Sequence, residues 1–118
     1  MTAAAILFAI AALGGIVMAL IRFSGRDYPP VFLALVHGVF AAAGIVTLLV
    51  AALAPGVALS IRIALVLFVG AAIGGFSLVY FHAKRRPLPI SYIVIHAFVA
   101  VIAFIILIVG IMSRTQPA

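Results

Sequence analysis

Cysteine, tryptophan, glutamate and asparagine are all absent from the 118-residue chain, and Asp27 is its one acid. Without thiols there can be no disulfide, thiolate metal site, iron–sulfur cluster or thioether-attached haem. Without paired carboxylates, acid–base catalysis by Asp and Glu and carboxylate cages for hard cations are excluded as well. Charge is scarce, with 7% of residues charged and 69% hydrophobic, whereas a water-soluble surface calls for roughly a quarter of residues charged. A mean hydropathy of +1.57 places the chain in a bilayer. What remains for chemistry is three histidines, seven Lys/Arg and a few hydroxyls.

The charges fall at positions 22, 26, 27, 62, 84, 85, 86 and 114, leaving four uncharged runs, Thr2–Ile21, Tyr28–Ile61, Ile63–Ala83 and Pro87–Ser113. Each run can hold a helix of about 20 residues, enough to cross the hydrocarbon core. None shows the strict alternation of a barrel strand, and a lipid-facing backbone must satisfy its own hydrogen bonds, so helices follow. The pattern predicts transmembrane helices near 3–22, 31–53, 58–82 and 89–112. Ser24-Gly25-Arg26-Asp27 with Pro29-Pro30, then Ala54-Pro55-Gly56, then Lys84-Arg85-Arg86-Pro87 with Pro89, supply the turns and the helix-starting prolines. With connections this short, consecutive helices are antiparallel neighbours. The expected fold is one all-α domain over 1–118, an integral membrane four-helix up-down bundle. The first helix is expected to be retained rather than cleaved as a signal peptide, since Met1-Thr2 offers no basic leader and no cleavage site follows.

Arg22, Arg26, Lys84, Arg85 and Arg86 lie on the two connections of one side, against Arg62 and Arg114 on the other. Five against two puts those connections in the cytoplasm and both termini outside, as in a bacterial inner membrane. Tyr28, Tyr80 and Tyr92 fall near the same basic side, where amphipathic rings prefer the interface. Topology accounts for the positive charge, and such a chain has no surface for nucleic acid.

An internal repeat is the most informative feature. Pro30, His37, Ala41 and Gly44 of the second run recur at one constant offset as Pro89, His96, Ala100 and Ala103 of the fourth. Ala11-Ala12-Leu13-Gly14-Gly15 matches Ala71-Ala72-Ile73-Gly74-Gly75 at an offset one residue longer. The chain reads as two tandem helical hairpins, about 1–56 and 57–118. An even number of spans separates them, so a pseudo-two-fold axis along the membrane normal should relate them.

His37 and His96 then lie at equal depth, about 10 Å below the basic side. The second and fourth helices of a square bundle are diagonal, with axes roughly 11–14 Å apart, which is about the span of two imidazoles facing through a metal in a flat ring. Ala41 and Gly44, like Ala100 and Ala103, share the histidine's face and leave it without bulk. A free Zn, Cu or non-haem Fe ion wants three or four protein ligands, and only two imidazoles are offered. Haem brings four nitrogens of its own and asks for the axial pair. Arg22, Arg26, Lys84, Arg85 and Arg86 could then meet the propionates. A lone intramembrane histidine is otherwise a polar group bonded to a neighbouring helix, and small residues otherwise let backbones approach. His82 reads as an interfacial hydrogen-bonding group, Phe23 occupying the matching region of the first half, while Met18 and Met112 read as packing residues.

On this architecture and the His37/His96 pair, the chain resembles small four-helix b-type cytochromes, the cytochrome b561-like proteins and the haem-bearing anchors of quinone-linked dehydrogenases. The resemblance implies haem b, electron exchange with quinone or a redox partner, and assembly into a larger membrane complex. The chain departs from the two-haem b561 pattern in lacking a second histidine pair. Small multidrug-resistance exporters rely on an intramembrane Glu and dual-topology fluoride channels on a pore Asn, and neither residue occurs here. No span carries the arginine series of a voltage sensor. The leading expectation is a membrane electron-transfer subunit with one bis-histidine haem b. The alternatives are a cofactor-free accessory subunit, packing through small residues such as Gly70 and Gly74, and a chlorophyll-binding subunit with each histidine on its own magnesium.

Overall fold

A computed structural model describes residues 1–114 as four helices, α1 (Thr2–Phe23), α2 (Val31–Ala52), α3 (Leu59–Ala83) and α4 (Ile90–Arg114). They have 22, 22, 25 and 25 residues. At about 1.5 Å per residue each exceeds the roughly 30 Å hydrocarbon core, so the ends reach the interfacial layers. All four are apolar enough to span a membrane. The boundaries agree with the expected spans to within two residues, and no strand occurs among the described residues.

The prolines act at helix starts. Pro30 is the residue before α2, and its carbonyl accepts from the backbone N–H groups of Leu33 and Ala34. Pro89 does the same before α4, accepting from Ile93. A proline has no N–H to leave unsatisfied in that first turn.

The helices associate as two hairpins. α1 packs mainly along α2 and α3 along α4, and the α2–α3 and α1–α4 faces meet over less surface. Packing is concentrated at the end away from the basic connections, where Ala4, Ala5, Phe8, Leu48, Ala52, Val57, Ile61, Ala64, Phe68, Ala103 and Leu107 form the core. At its centre the Phe8 and Phe68 rings stack with centroids 3.6 Å apart and planes 3° apart, joining α1 to α3 across the bundle. Lipid is as apolar as these side chains, so dispersion and close fit, rather than water exclusion, stabilise the contact. Only 11–22% of each helix's most apolar stretch is buried inside the protein, which leaves the outer faces to the acyl chains.

At the basic end the two connections are tied together at Leu88. Its N–H donates to the Asp27 carbonyl at 2.9 Å, and its carbonyl accepts from Arg22 Nε at 3.0 Å. The two hairpins therefore touch at a packed core and at a hydrogen-bonded basic end. Between these two contacts lies the histidine layer.

Candidate site at the paired histidines

His37 and His96 are each the seventh residue of their helix, α2 and α4. Their rings come together in the middle of the bundle with centroids 6.1 Å apart and planes inclined by 74°. Each ring is held by its own hairpin. His37 Nδ1 lies 2.7 Å from the Ala11 carbonyl oxygen on α1, and His96 Nδ1 lies 2.7 Å from that of Ala71 on α3. A carbonyl can only accept, so each Nδ1 carries a proton, and in the neutral imidazole Nε2 then keeps a lone pair. Neither Nε2 makes a hydrogen bond among the described residues, and neither is sealed off by protein.

Glycines make room for this arrangement. A methyl group built on Gly15 would lie 3.2 Å from His37 Cε1, and one on Gly75 would lie 3.3 Å from His96 Cε1. On Gly14 and Gly74 it would meet the Cβ atoms of the same two histidines at 3.6 and 3.7 Å. The paired glycines of α1 and α3 are thus seats for the imidazoles of α2 and α4. They explain why the Ala-Ala-Leu-Gly-Gly and Ala-Ala-Ile-Gly-Gly segments share the histidines' repeat.

Both rings line one apolar cavity of about 180 Å³, together with Ala11, Ala41, Ala71 and Ala100 and, toward the core, Phe8 and Phe68. Ala41 and Ala100 stand where the helical spacing puts them. Gly44 and Ala103 are deeper in the packing. A methyl group on Gly44 would strike the Phe8 ring at 2.8 Å, and Ala103 is fully buried in the core. Gly44 therefore makes room for the Phe8 ring and Ala103 belongs to the core, and neither lines the cavity.

The five basic residues gather at the end nearer the histidines but none lines the cavity. Arg22 bonds Leu88, and Lys84 Nζ lies 6.0 Å above the Tyr80 ring. Arg26 borders a separate interfacial hollow of about 450 Å³ with Asp27, Tyr28 and His82. Arg85 has a positive φ of 52°, and the Arg86 N–H donates to the Phe81 carbonyl. His82 lies against Tyr28, ring centroids 5.1 Å apart, with its Nε2 enclosed and unbonded.

Sequence reasoning reached the histidines but missed the carbonyls of Ala11 and Ala71 as their partners and the Phe8–Phe68 contact. The signal for the first was present in the matched glycine pairs. For the second it was the spacing, since Phe8 and Phe68 stand three residues before Ala11 and Ala71 and so follow the same offset.

The fold and site define a bundle of four helices apolar enough to span a membrane, with two imidazoles converging, one from each hairpin. Compared with protein-family models, curated proteins and solved structures, the chain has no match.

Proposed function

We propose that this chain is a membrane electron-transfer subunit in which His37 and His96 form the axial pair for one haem b, exchanging electrons with a quinone or a partner redox protein. The observation that carries the reading is the pair of imidazoles, each tied through Nδ1 to its own hairpin, with rings 6.1 Å apart lining one apolar cavity. Two nitrogens bound to one metal at about 2.0–2.1 Å, with about 1.2 Å from each nitrogen to its ring centre, put the centroids about 6.5 Å apart. The observed separation is within half an ångström of that.

The donor set suits the group. Among the described residues there is no cluster of three or more His, Cys, Asp or Glu side chains, so a bare ion would lack ligands. Haem supplies the equatorial four and, when bound, one-electron redox chemistry. The Nδ1–H bonds to Ala11 and Ala71 are the outer partners that orient such ligands and raise their basicity. The cavity's 180 Å³ is smaller than the roughly 300 Å³ at the low end of small-molecule pockets, so accommodation requires the hairpins to part along their seam. That seam is the less extensive helix contact of the bundle. Two separate macrocycles, one per histidine, would have to share this one space, which favours a single shared ring over paired chlorophylls.

In this reading the positive-inside bias sets the basic connections in the cytoplasm and the termini outside, as in a bacterial inner membrane. Charges at that end could then meet the haem propionates.

The test is the reduced-minus-oxidised spectrum and pyridine haemochrome content of the purified chain. One b-type haem per chain supports the proposal, and a colourless protein sinks it. His37→Ala and His96→Ala should each abolish the six-coordinate low-spin spectrum. A cofactor-free accessory subunit is the second reading, favoured by the fact that each histidine already clasps its own hairpin. In that reading the same substitutions remove an interhelical hydrogen bond worth about 0.6–1.7 kcal/mol and change no spectrum.

A further inference from the structure

The basic end of the bundle departs from the repeat. At the offset that carries Ala11 to Ala71, Arg22 corresponds to His82. Arg22 reaches from α1 to the α3–α4 connection, donating from Nε to the Leu88 carbonyl at 3.0 Å, and so ties the hairpins on that side. His82 stands at the equivalent place on α3, its ring centroid 5.1 Å from that of Tyr28 on the α1–α2 connection, but its Nε2 makes no bond. Where the first side has a tie, the second has the hollow of about 450 Å³, walled by Arg26, Asp27, Tyr28, His82 and the start of α2 at Val31. None of these residues lines the histidine cavity, so the hollow is a separate feature of the molecule.

Its charges select the occupant. Among the described residues neither the Arg26 guanidinium nor the Asp27 carboxylate has a hydrogen bond or an ion pair, although the two are chain neighbours and both are exposed. Arg22, Lys84, Arg85 and Arg86 do not border the hollow. One cation and the chain's single acid therefore face it, and with the imidazole neutral its formal charge is zero. An anionic headgroup would meet the carboxylate as well as the guanidinium, whereas a zwitterion satisfies both. A phosphodiester takes the guanidinium through charge-assisted hydrogen bonds, and a primary ammonium offers the carboxylate three N–H donors. Below the hollow, Val31, Leu35 and Val39 follow one another at helical steps of four and are 58%, 63% and 66% exposed, an apolar track along α2. A charged recess at the interface above an apolar track fits a membrane lipid rather than a soluble zwitterion. We infer that the hollow binds one phospholipid with a primary-amine headgroup, its phosphate on Arg26, its ammonium on Asp27 and an acyl chain along Val31 and Leu35. His82 belongs to the other hairpin, so the occupant bridges the side of the seam that lacks a tie.

The experiment is native mass spectrometry of the delipidated full-length chain in detergent, titrated with phosphatidylethanolamine, phosphatidylglycerol and phosphatidylcholine of identical acyl chains. One phosphatidylethanolamine should bind per chain, about fivefold tighter than either competitor, the worth of one exposed charge pair. The same lipid should raise the unfolding midpoint. Phosphatidylglycerol binding equally or more tightly would overturn the zwitterion assignment, as would phosphatidylcholine, whose trimethylammonium has no N–H to donate. Displacement by an equal concentration of glycerophosphoethanolamine, which has no acyl chain, would overturn the lipid assignment.

Variants locate the site. Asp27→Asn should abolish the preference for phosphatidylethanolamine over phosphatidylglycerol, and it leaves the tie to Leu88 intact because that bond uses the main-chain carbonyl. Arg26→Gln should weaken all three lipids. Arg86→Gln removes the same charge from the same end without bordering the hollow, and should bind as the unmodified chain does. A preference retained in Asp27→Asn, or equal losses in Arg26→Gln and Arg86→Gln, would overturn the site.

Discussion

At the scale of single residues, the membrane makes polar side chains conspicuous and apolar ones mute. His37 and His96 were legible because an imidazole in an otherwise uncharged run has few reasons to be there. Phe8 and Phe68 were not, because the chain has nine phenylalanines and hydropathy does not distinguish a ring facing lipid from one facing another helix. The consequence shows at Gly44, which shares its helical face with His37 yet serves the phenylalanine stack. Gly44→Ala brings a methyl group to 2.8 Å from Phe8 Cε1, and that ring is rigid and held in place by Phe68. Overpacking of this kind costs about 1–3 kcal/mol. At Gly110 the nearest atoms are Ile61 Cδ1 and Ser60 Oγ, the far ends of side chains with rotatable bonds rather than a stacked ring. Gly44→Ala should therefore lower the unfolding midpoint in detergent clearly more than Gly110→Ala. Equal losses would show that the aromatic stack is not what constrains position 44.

At the scale of elements, helix existence and starts were readable because uncharged runs and prolines mark them directly. One helix end was not. α3 closes with the Arg85 N–H on the His82 carbonyl and the Arg86 N–H on that of Phe81, with Arg85 itself in the left-handed region at φ 52°. That is the geometry in which helices normally place glycine. The first hairpin does so, with Gly25 at φ 110° after α1 and its N–H on Arg22. Within a Lys-Arg-Arg run, Arg85 reads only as charge, so its backbone role is hidden. A side chain in this conformation costs about 1–2 kcal/mol. Arg85→Gly should accordingly stabilise the α3–α4 hairpin by about 1 kcal/mol, measured as a raised unfolding midpoint. Gly25→Arg should lower it by a similar amount. If Arg85→Gly is destabilising, the arginine side chain contributes more at that corner than its backbone strain removes.

At the scale of the whole molecule, close packing lies at one end and charge at the other. The cavity lies between them, about 10 Å from the basic end. Which way the bundle faces decides which side of the membrane the histidines lie near, and the Lys/Arg distribution makes that a testable matter. The absence of cysteine permits single-cysteine labelling without a prior substitution. Ser24 follows α1 at the basic end, Ala54 lies between α2 and α3 at the other, and both are exposed. In intact bacterial cells with a permeable outer membrane, an impermeant maleimide should label Ala54→Cys, and should reach Ser24→Cys only after the inner membrane is broken. The opposite pattern would place the basic end outside and refute the orientation. The cause can be tested in the same assay. Neutralising Lys84, Arg85 and Arg86 leaves Arg22 and Arg26 against Arg62 and Arg114, two charges on each side. With the bias gone, both cysteines should label partially in intact cells, because charge near the span ends is what orients short-loop proteins. Unchanged one-sided labelling would mean that something other than those three residues fixes the orientation of the bundle.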